Sequence, residues 1–214
     1  MNPRPKKLQL LRWLPRSLVL TSAPAADNAL YLTFDDGPHP EYTPRVLDLL
    51  AANEARASFF LLGEAVENHP RIVERIVAEG HLLGNHSYNH PRFAKLSWPE
   101  QIAQIERTDG LLAGFDSRKI HRFRPPSGRF TTAMLASFAM RRRNISYWSY
   151  DSMDYQRQPA ATVVGMLRSD PPRSGDIVLM HDDSETTVRV LTELLPEWRA
   201  QGFAMRRLPD EERQ

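Results

Sequence analysis

The chain has 214 residues, 41% of them hydrophobic, which is enough for a buried core and excludes a disordered polymer. Lysine plus arginine number 28 against 26 aspartate plus glutamate, so the net charge is only +2 and no broad footprint for nucleic acid is implied. Cysteine is absent, which removes disulfides, thiolate metal sites and a cysteine nucleophile and leaves histidine and carboxylate as metal ligands.

Residues 1–28 read as a basic amphipathic segment. Lys6 and Lys7 precede a stretch in which Leu8, Leu11, Trp13, Leu14 and Leu18 are apolar. Three readings stand: a helix packed on the domain, a segment lying on a membrane surface, or a signal peptide ending in the small residues Ser22 to Ala26. Arg12, Pro15 and Arg16 interrupt the apolar run that a signal peptide needs. A cytoplasmic protein, or one at the cytoplasmic membrane face, is therefore expected in preference to export. No apolar run approaches the ~20 residues of a membrane span.

Residues 29–214 read as one domain in which strand and helix alternate. An apolar run over 30–34 ends in Asp35-Asp36-Gly37-Pro38, which is turn chemistry. Thr43-Pro44 opens a helix, residues 57–62 form a second strand stopped by Gly63, and Pro70 opens a helix closed by Gly80. A short strand over 81–84 leads into His86-Ser87-Tyr88-Asn89-His90. Ser97-Trp98-Pro99-Glu100 carries the N-cap, proline and acid of a helix start. Strands over 120–123, 145–150, 176–180 and 203–208 alternate with helices over 131–143, 159–168 and 186–198. Arg141-Arg142-Arg143, the densest basic run, reads as a solvated helix end. About seven strand–helix units in series predict a parallel sheet. An open doubly wound sheet is the alternative to a barrel. The barrel is favoured because the chemically loaded residues follow strand ends, which a barrel gathers at one face.

Taken singly, these constellations have plain structural readings. Asp-Gly-Pro is an ordinary turn, Arg124-Pro125-Pro126-Ser127-Gly128 is a stiff one, and Asp151 and Asp154 fit a solvated loop. Adjacent carboxylates at a buried strand end repel each other unless a cation lies beside them. His86 and His90 lie four apart, so one helical turn would aim both at one ion, although Pro91 disfavours helix at His90. A histidine pair with a nearby carboxylate suits a catalytic ion with open positions. His181 ends the most apolar strand and needs a partner, such as an aspartate, for its second nitrogen.

In this order, the five stretches around Asp35-Asp36, His86 to His90, Arg124 to Gly128, Asp151 to Asp154 and Leu179 to His181 closely resemble the polysaccharide deacetylase family, the NodB-homology domain of carbohydrate esterases. The resemblance runs from about Leu30 to about Leu208. It implies an α/β fold, a distorted and incomplete (β/α) barrel of about seven parallel strands, with one divalent metal, commonly zinc, with cobalt, nickel or manganese as alternatives. It further implies Asp35 as catalytic base, Asp36, His86 and His90 as metal ligands, and Arg124 as the arginine orienting the base. By the same resemblance Asp154 is expected to pair with His181, the expected general acid. Ser127, where the family often has tyrosine, offers its N–H to the oxyanion. Leu179 resembles the residue that lines the acetyl pocket, Tyr155 stands where tryptophan commonly walls the groove, and Pro126 and Trp148 are expected as further substrate-contacting positions.

The function so implied is metal-dependent removal of an N-acetyl group from an acetamido sugar in a polysaccharide, oligosaccharide or glycolipid. The implied partner is an acetylated carbohydrate; peripheral membrane contact through the N-terminal segment belongs to one of the three readings of residues 1–28 and not to the resemblance. An O-acetyl esterase or a deformylase on a lipid-linked sugar would use the same site. A carbohydrate-binding relic without catalysis is the reading from another class. No oligomeric state is specified by the sequence.

Overall fold

The computed structural model describes residues 3–210, so the outermost ends of both predicted divisions, 1–2 and 211–214, lie outside the described residues. Among the described residues there are nine strands: β1 Val19–Leu20, β2 Ala29–Asp35, β3 Ser58–Leu61, β4 Leu82–Asn85, β5 Arg122–Phe123, β6 Ile145–Ser146, β7 Tyr150–Asp151, β8 Ile177–His181 and β9 Ala204–Arg206. The helices are α1 Leu8–Leu11, α2 Tyr42–Ala52, α3 Gly63–Asn68, α4 Pro70–Ala78, α5 Trp98–Asp116, α6 Thr132–Met140, α7 Ala160–Ser169 and α8 Glu185–Ala200. Every strand pairing is parallel, in the order β1-β6-β5-β4-β3-β2-β8-β7, with β9 against the start of β2. β6 and β7, near opposite ends of that order, are three residues apart in the chain. The sheet therefore curls back on itself as an incomplete barrel.

Strand alternation sorts the side chains into two layers. Leu30, Leu32 and Phe34 of β2 join Phe59 and Leu61 of β3 and Val178 and Met180 of β8 in one buried cluster with Leu47, Val73, Leu167 and Leu191 of the surrounding helices. Ala29 and Tyr31 point the other way, with Phe60, Ile177 and Leu179, inside the curl. Thr33 and Asp35 continue that inner side. Burial on both faces explains why β2 reads as a continuous apolar run rather than an alternating one.

Three local departures from the sequence reading have clear causes. Residues 63–68 form the helix α3 instead of a plain strand stop, because Gly63 N–H and Glu64 N–H donate to Ser87 and Tyr88 carbonyls at 3.0 and 2.9 Å. The aromatic strand over 145–150 splits in two because its backbone changes partners: Tyr147 N–H donates to Leu20, and Ser149 N–H to Ile177. Within the segment 1–28, Val19–Leu20 joins the sheet edge at β6 and Leu8 and Leu11 are buried. Asp151 N–H reaches back to the Pro3 carbonyl at 2.7 Å. The remaining helices start as their caps indicate, with a full Ser97–Glu100 capping box on α5 and Pro70 in the first turn of α4.

Candidate active site

The register of the sheet sets out the site. Asp35 and His181 end neighbouring strands β2 and β8 and are direct partners in their pairing. Parallel neighbours lie roughly 4.8 Å apart, so both side chains emerge together at the same barrel mouth. A strand would send Asp35 and Asp36 to opposite faces. Asp36 instead adopts a left-handed backbone, φ 73°, and both carboxylates reach His86: Nε2 lies 3.7 Å from Asp35 Oδ2 and 3.5 Å from Asp36 Oδ1.

Asp35 is only 3% exposed. Its partner Arg124 is wholly buried inside the barrel, its guanidinium 4.1 Å above the Phe60 ring. Arg124 Nη1 donates to Asp35 Oδ1 at 2.7 Å and to Thr33 Oγ1 at 2.9 Å, while Nε donates to the Ser146 carbonyl at 3.1 Å. Burial pushes the Asp35 carboxyl above its ordinary value, against the pull of Arg124 and His181. Such a carboxylate is a stronger base than one in water. Sequence reasoning missed Thr33, although its place two residues before Asp35 puts it on the same strand face.

On the other flank, His181 Nδ1 meets Asp154 Oδ1 at 2.8 Å, and His181 N–H donates to Asp154 Oδ2, also at 2.8 Å. Thr187 Oγ donates to the same carboxylate at 2.7 Å. Burial alone would lower the imidazole pKa, but the bond and charge of Asp154 outweigh it and raise His181 to about 10. With Nδ1 committed to Asp154, Nε2 is the atom left to carry a proton to the mouth. Tyr155 is half exposed and meets the His181 ring edge-on at 5.5 Å between centroids. Leu179 lies one turn of the pleat below His181 and pairs with Thr33. The buried Pro126 opens the turn that carries the exposed Ser127. Trp148 stacks on Tyr147 at 4.1 Å and lies against Gly128, where a Cβ would fall 2.6 Å from the indole.

Asp36, His86 and His90 each offer one donor atom, all within 4.8 Å of one another. Their turn is not helical as the spacing suggested: Ser87 and His90 both take left-handed backbone, φ 74° and 52°. His86 Nδ1 donates to the Arg124 carbonyl at 2.8 Å, and burial drops its pKa to about 3, so Nε2 presents a lone pair. Asp36 Oδ1 is buried with no hydrogen-bond partner among the described residues and sits 3.5 and 3.9 Å from the two Nε2 atoms. Tetrahedral ligands at about 2.1 Å from zinc would be roughly 3.4 Å apart, so the trio fits a small divalent cation. An orphaned buried oxygen facing two imidazole nitrogens is otherwise hard to sustain.

Asp182 was also missed, since Asp182-Asp183-Ser184 looks like solvated loop. It is wholly buried beneath Gly37, where a Cβ would clash with its carboxylate, and it accepts from Thr43 Oγ.

Comparison with known proteins agrees with this geometry. The family profile described as polysaccharide deacetylase matches residues 22–141. The chain is 35% identical over 205 residues to a peptidoglycan-N-acetylglucosamine deacetylase of Bacillus cereus, covering 92% of this chain and 73% of that one. It is 32% identical over 218 residues to a chitooligosaccharide deacetylase of Sinorhizobium fredii, covering 95% and 98%. The crystal structure of the Bc1960 peptidoglycan N-acetylglucosamine deacetylase superposes with a TM-score of 0.82 at 32% identity, covering 89% of each chain. With more than half of its length matched by that profile and relatives of this identity spanning nearly all of it, the chain belongs to the polysaccharide deacetylase family.

Proposed function

We propose that this enzyme hydrolyses the N-acetyl group of an acetamido sugar, of the N-acetylglucosamine type carried by chito-oligosaccharides and peptidoglycan glycan strands. The observation that carries the reading is the convergence of Asp36, His86 and His90 on one point, with Asp35 and His181 side by side next to it. Residues 29–214 form the catalytic unit in this proposal, and 1–28 an accessory segment clad on its flank.

Bound by Asp36, His86 and His90, a divalent cation would polarise a water and the substrate carbonyl, and the nitrogen and oxygen donors suit zinc. Asp35, held by Arg124, takes one proton from the attacking water. The water oxygen bonds to the acetyl carbon, and the Ser127 N–H is assigned to the oxygen that gains charge. His181 then delivers its proton from Nε2 to the sugar nitrogen as the C–N bond breaks, giving acetate and a free amine. A neutral amide leaves poorly without that proton, and a histidine whose pKa is raised to about 10 carries one at neutral pH. This favours amide over ester as the substrate. Leu179, Trp148, Pro126 and Tyr155 are assigned to the acetyl and sugar contacts.

Acetate release from chito-oligosaccharides is expected to cease with a chelator and return with zinc. Asp35→Asn is expected to bind zinc yet lose turnover by ~10²–10⁴-fold. Full activity after complete metal removal would overturn the proposal.

The same reading extends to where the enzyme works. Leu10 and Trp13, 75% and 88% exposed, stand among Lys6, Lys7, Arg12 and Arg16, while Leu8 and Leu11 anchor the segment. We propose that this flank rests on an anionic membrane surface at the cytoplasmic face.

A further inference from the structure

The turn that carries His86 and His90 contains two non-glycine residues in left-handed backbone, Ser87 and His90. Such residues persist where their surroundings leave no alternative. The side chain of Asn85, the last residue of β4, supplies that constraint from beneath. Its Oδ1 accepts from Ser87 N–H at 2.9 Å. Its Nδ2 donates to the Ile105 carbonyl at 2.9 Å and to Asp109 Oδ1 at 2.8 Å, both on α5. The amide can sit only one way round: turned over, it would set nitrogen against an N–H and oxygen against a carbonyl and a carboxylate.

Asp109 is itself fixed. Arg143 donates to its two oxygens at 2.5 and 3.0 Å, and His121 approaches it through the backbone N–H and through Nδ1. The other ring nitrogen of His121 lies 3.0 Å from Asp116 Oδ1. Two acids and two bases thus balance in a buried group. Burial raises both carboxyls, but His121 holds both below their ordinary value, with Arg143 adding to it at Asp109 and Arg118 at Asp116. Asn85 also receives Arg124 N–H on its backbone carbonyl at 2.9 Å, next to the Arg124 carbonyl that orients His86.

We infer that Asn85, locked by Asp109, is a positioning residue for the metal site. It holds the Ser87 step left-handed so that the Nε2 atoms of His86 and His90 face Asp36 together. The inference rests on the reading of those three residues as metal ligands. Its rival is a network that only fastens α5 to the sheet.

Zinc affinity of the metal-free full-length protein, measured by competition with a chromophoric chelator, separates the two, with the thermal midpoint of the same metal-free samples as control. Asn85→Asp keeps an acceptor for Ser87 but puts a second carboxylate against Asp109. Asp109→Asn keeps shape but removes the charge that Arg143 and His121 face. Each is expected to weaken zinc binding by about 10–100-fold, the usual effect of losing an outer partner of a ligand. Asn85→Ser, smaller and free of repulsion, serves if Asn85→Asp does not fold, with the same expectation. Variants that melt earlier but bind zinc within twofold of wild type would overturn the inference and leave the fastening role. Wild-type protein that binds no zinc would overturn the metal reading, and this inference with it.

Discussion

At the scale of single residues, the site depends on titratable groups kept where water cannot reach them. Asp182 is the clearest case outside the reacting groups. Burial raises its carboxyl to about 7, with Asp183 and Asp36 adding to the shift and Thr43 opposing it. A folded value above the unfolded one of 3.8 means that its favourable contribution is complete below pH 3.8 and is lost as pH rises to about 7. A shift of that size corresponds to roughly 4 kcal/mol. Asp182→Asn, neutral throughout, is expected to lack this loss. Urea unfolding at pH 5 and pH 8 should show wild type weakening relative to the variant, and parallel behaviour of the two would refute the assignment.

Much of this residue-level placement was legible. Asp35, Asp36, His86, His90, Arg124, Asp154 and His181 announce themselves by type and order, and the fold brings them to one mouth. Their supports did not announce themselves. Thr33, Asn85, Asp109, Asp182 and Thr187 matter through partners distant in sequence, and polar residues flanking turns look alike whether they end up buried or solvated. Asp109 is the extreme instance, a buried acid in the middle of a helix whose partners lie 12, 24 and 34 positions away.

At the scale of elements, β3 and β4 show how strand packing reaches the chemistry. Gly84 of β4 pairs with Phe60 of β3, and a Cβ at Gly84 would fall 2.5 Å from the Phe60 ring. That ring is the platform beneath Arg124, which in turn holds Asp35. Gly84→Ala is therefore expected to destabilise the fold by roughly 1–3 kcal/mol, as overpacking does, and to lower turnover by displacing Arg124. Denaturant titration beside steady-state kinetics would test this, and an unchanged protein would show that the platform yields freely. Periodicity and caps located most of these elements. They missed α3 and the break between β6 and β7 because both arise from backbone bonds to other elements, which local pattern does not encode.

At the scale of the whole molecule, the N-terminal segment runs from beside β7, where Pro3 meets Asp151, to the edge of β6, where Val19 pairs with Ile145. It thus spans the two ends of the curled sheet. The sequence left this segment with three readings because a short amphipathic pattern suits packing and lipid contact alike, while Arg12, Pro15 and Arg16 weigh against cleavage. Its outer side carries the proposal of membrane contact, since the exposed Lys6, Lys7, Arg12 and Arg16 all precede the first acid, Asp27, while Arg4 turns inward to Asp176. Each cation near an anionic surface contributes about 1 kcal/mol. Co-sedimentation with phosphatidylglycerol-containing vesicles is expected to fall with salt, to be absent on phosphatidylcholine alone, and to be lost in a Leu10→Ser, Trp13→Ser double variant. Equal sedimentation of that variant would discard the proposal.

A parallel barrel also has a quiet end. Every group assigned to the reaction lies at or just past a strand's last residue, so the loops that enter the strands carry none of them. Arg173 is exposed on such a loop, just ahead of β8, whose length alone puts roughly 13 Å between that end and His181. Because the natural chain contains no cysteine, Arg173→Cys would supply a unique thiol there. Grafting the enzyme to a bead or a fluorophore through that handle leaves its working end pointing outward.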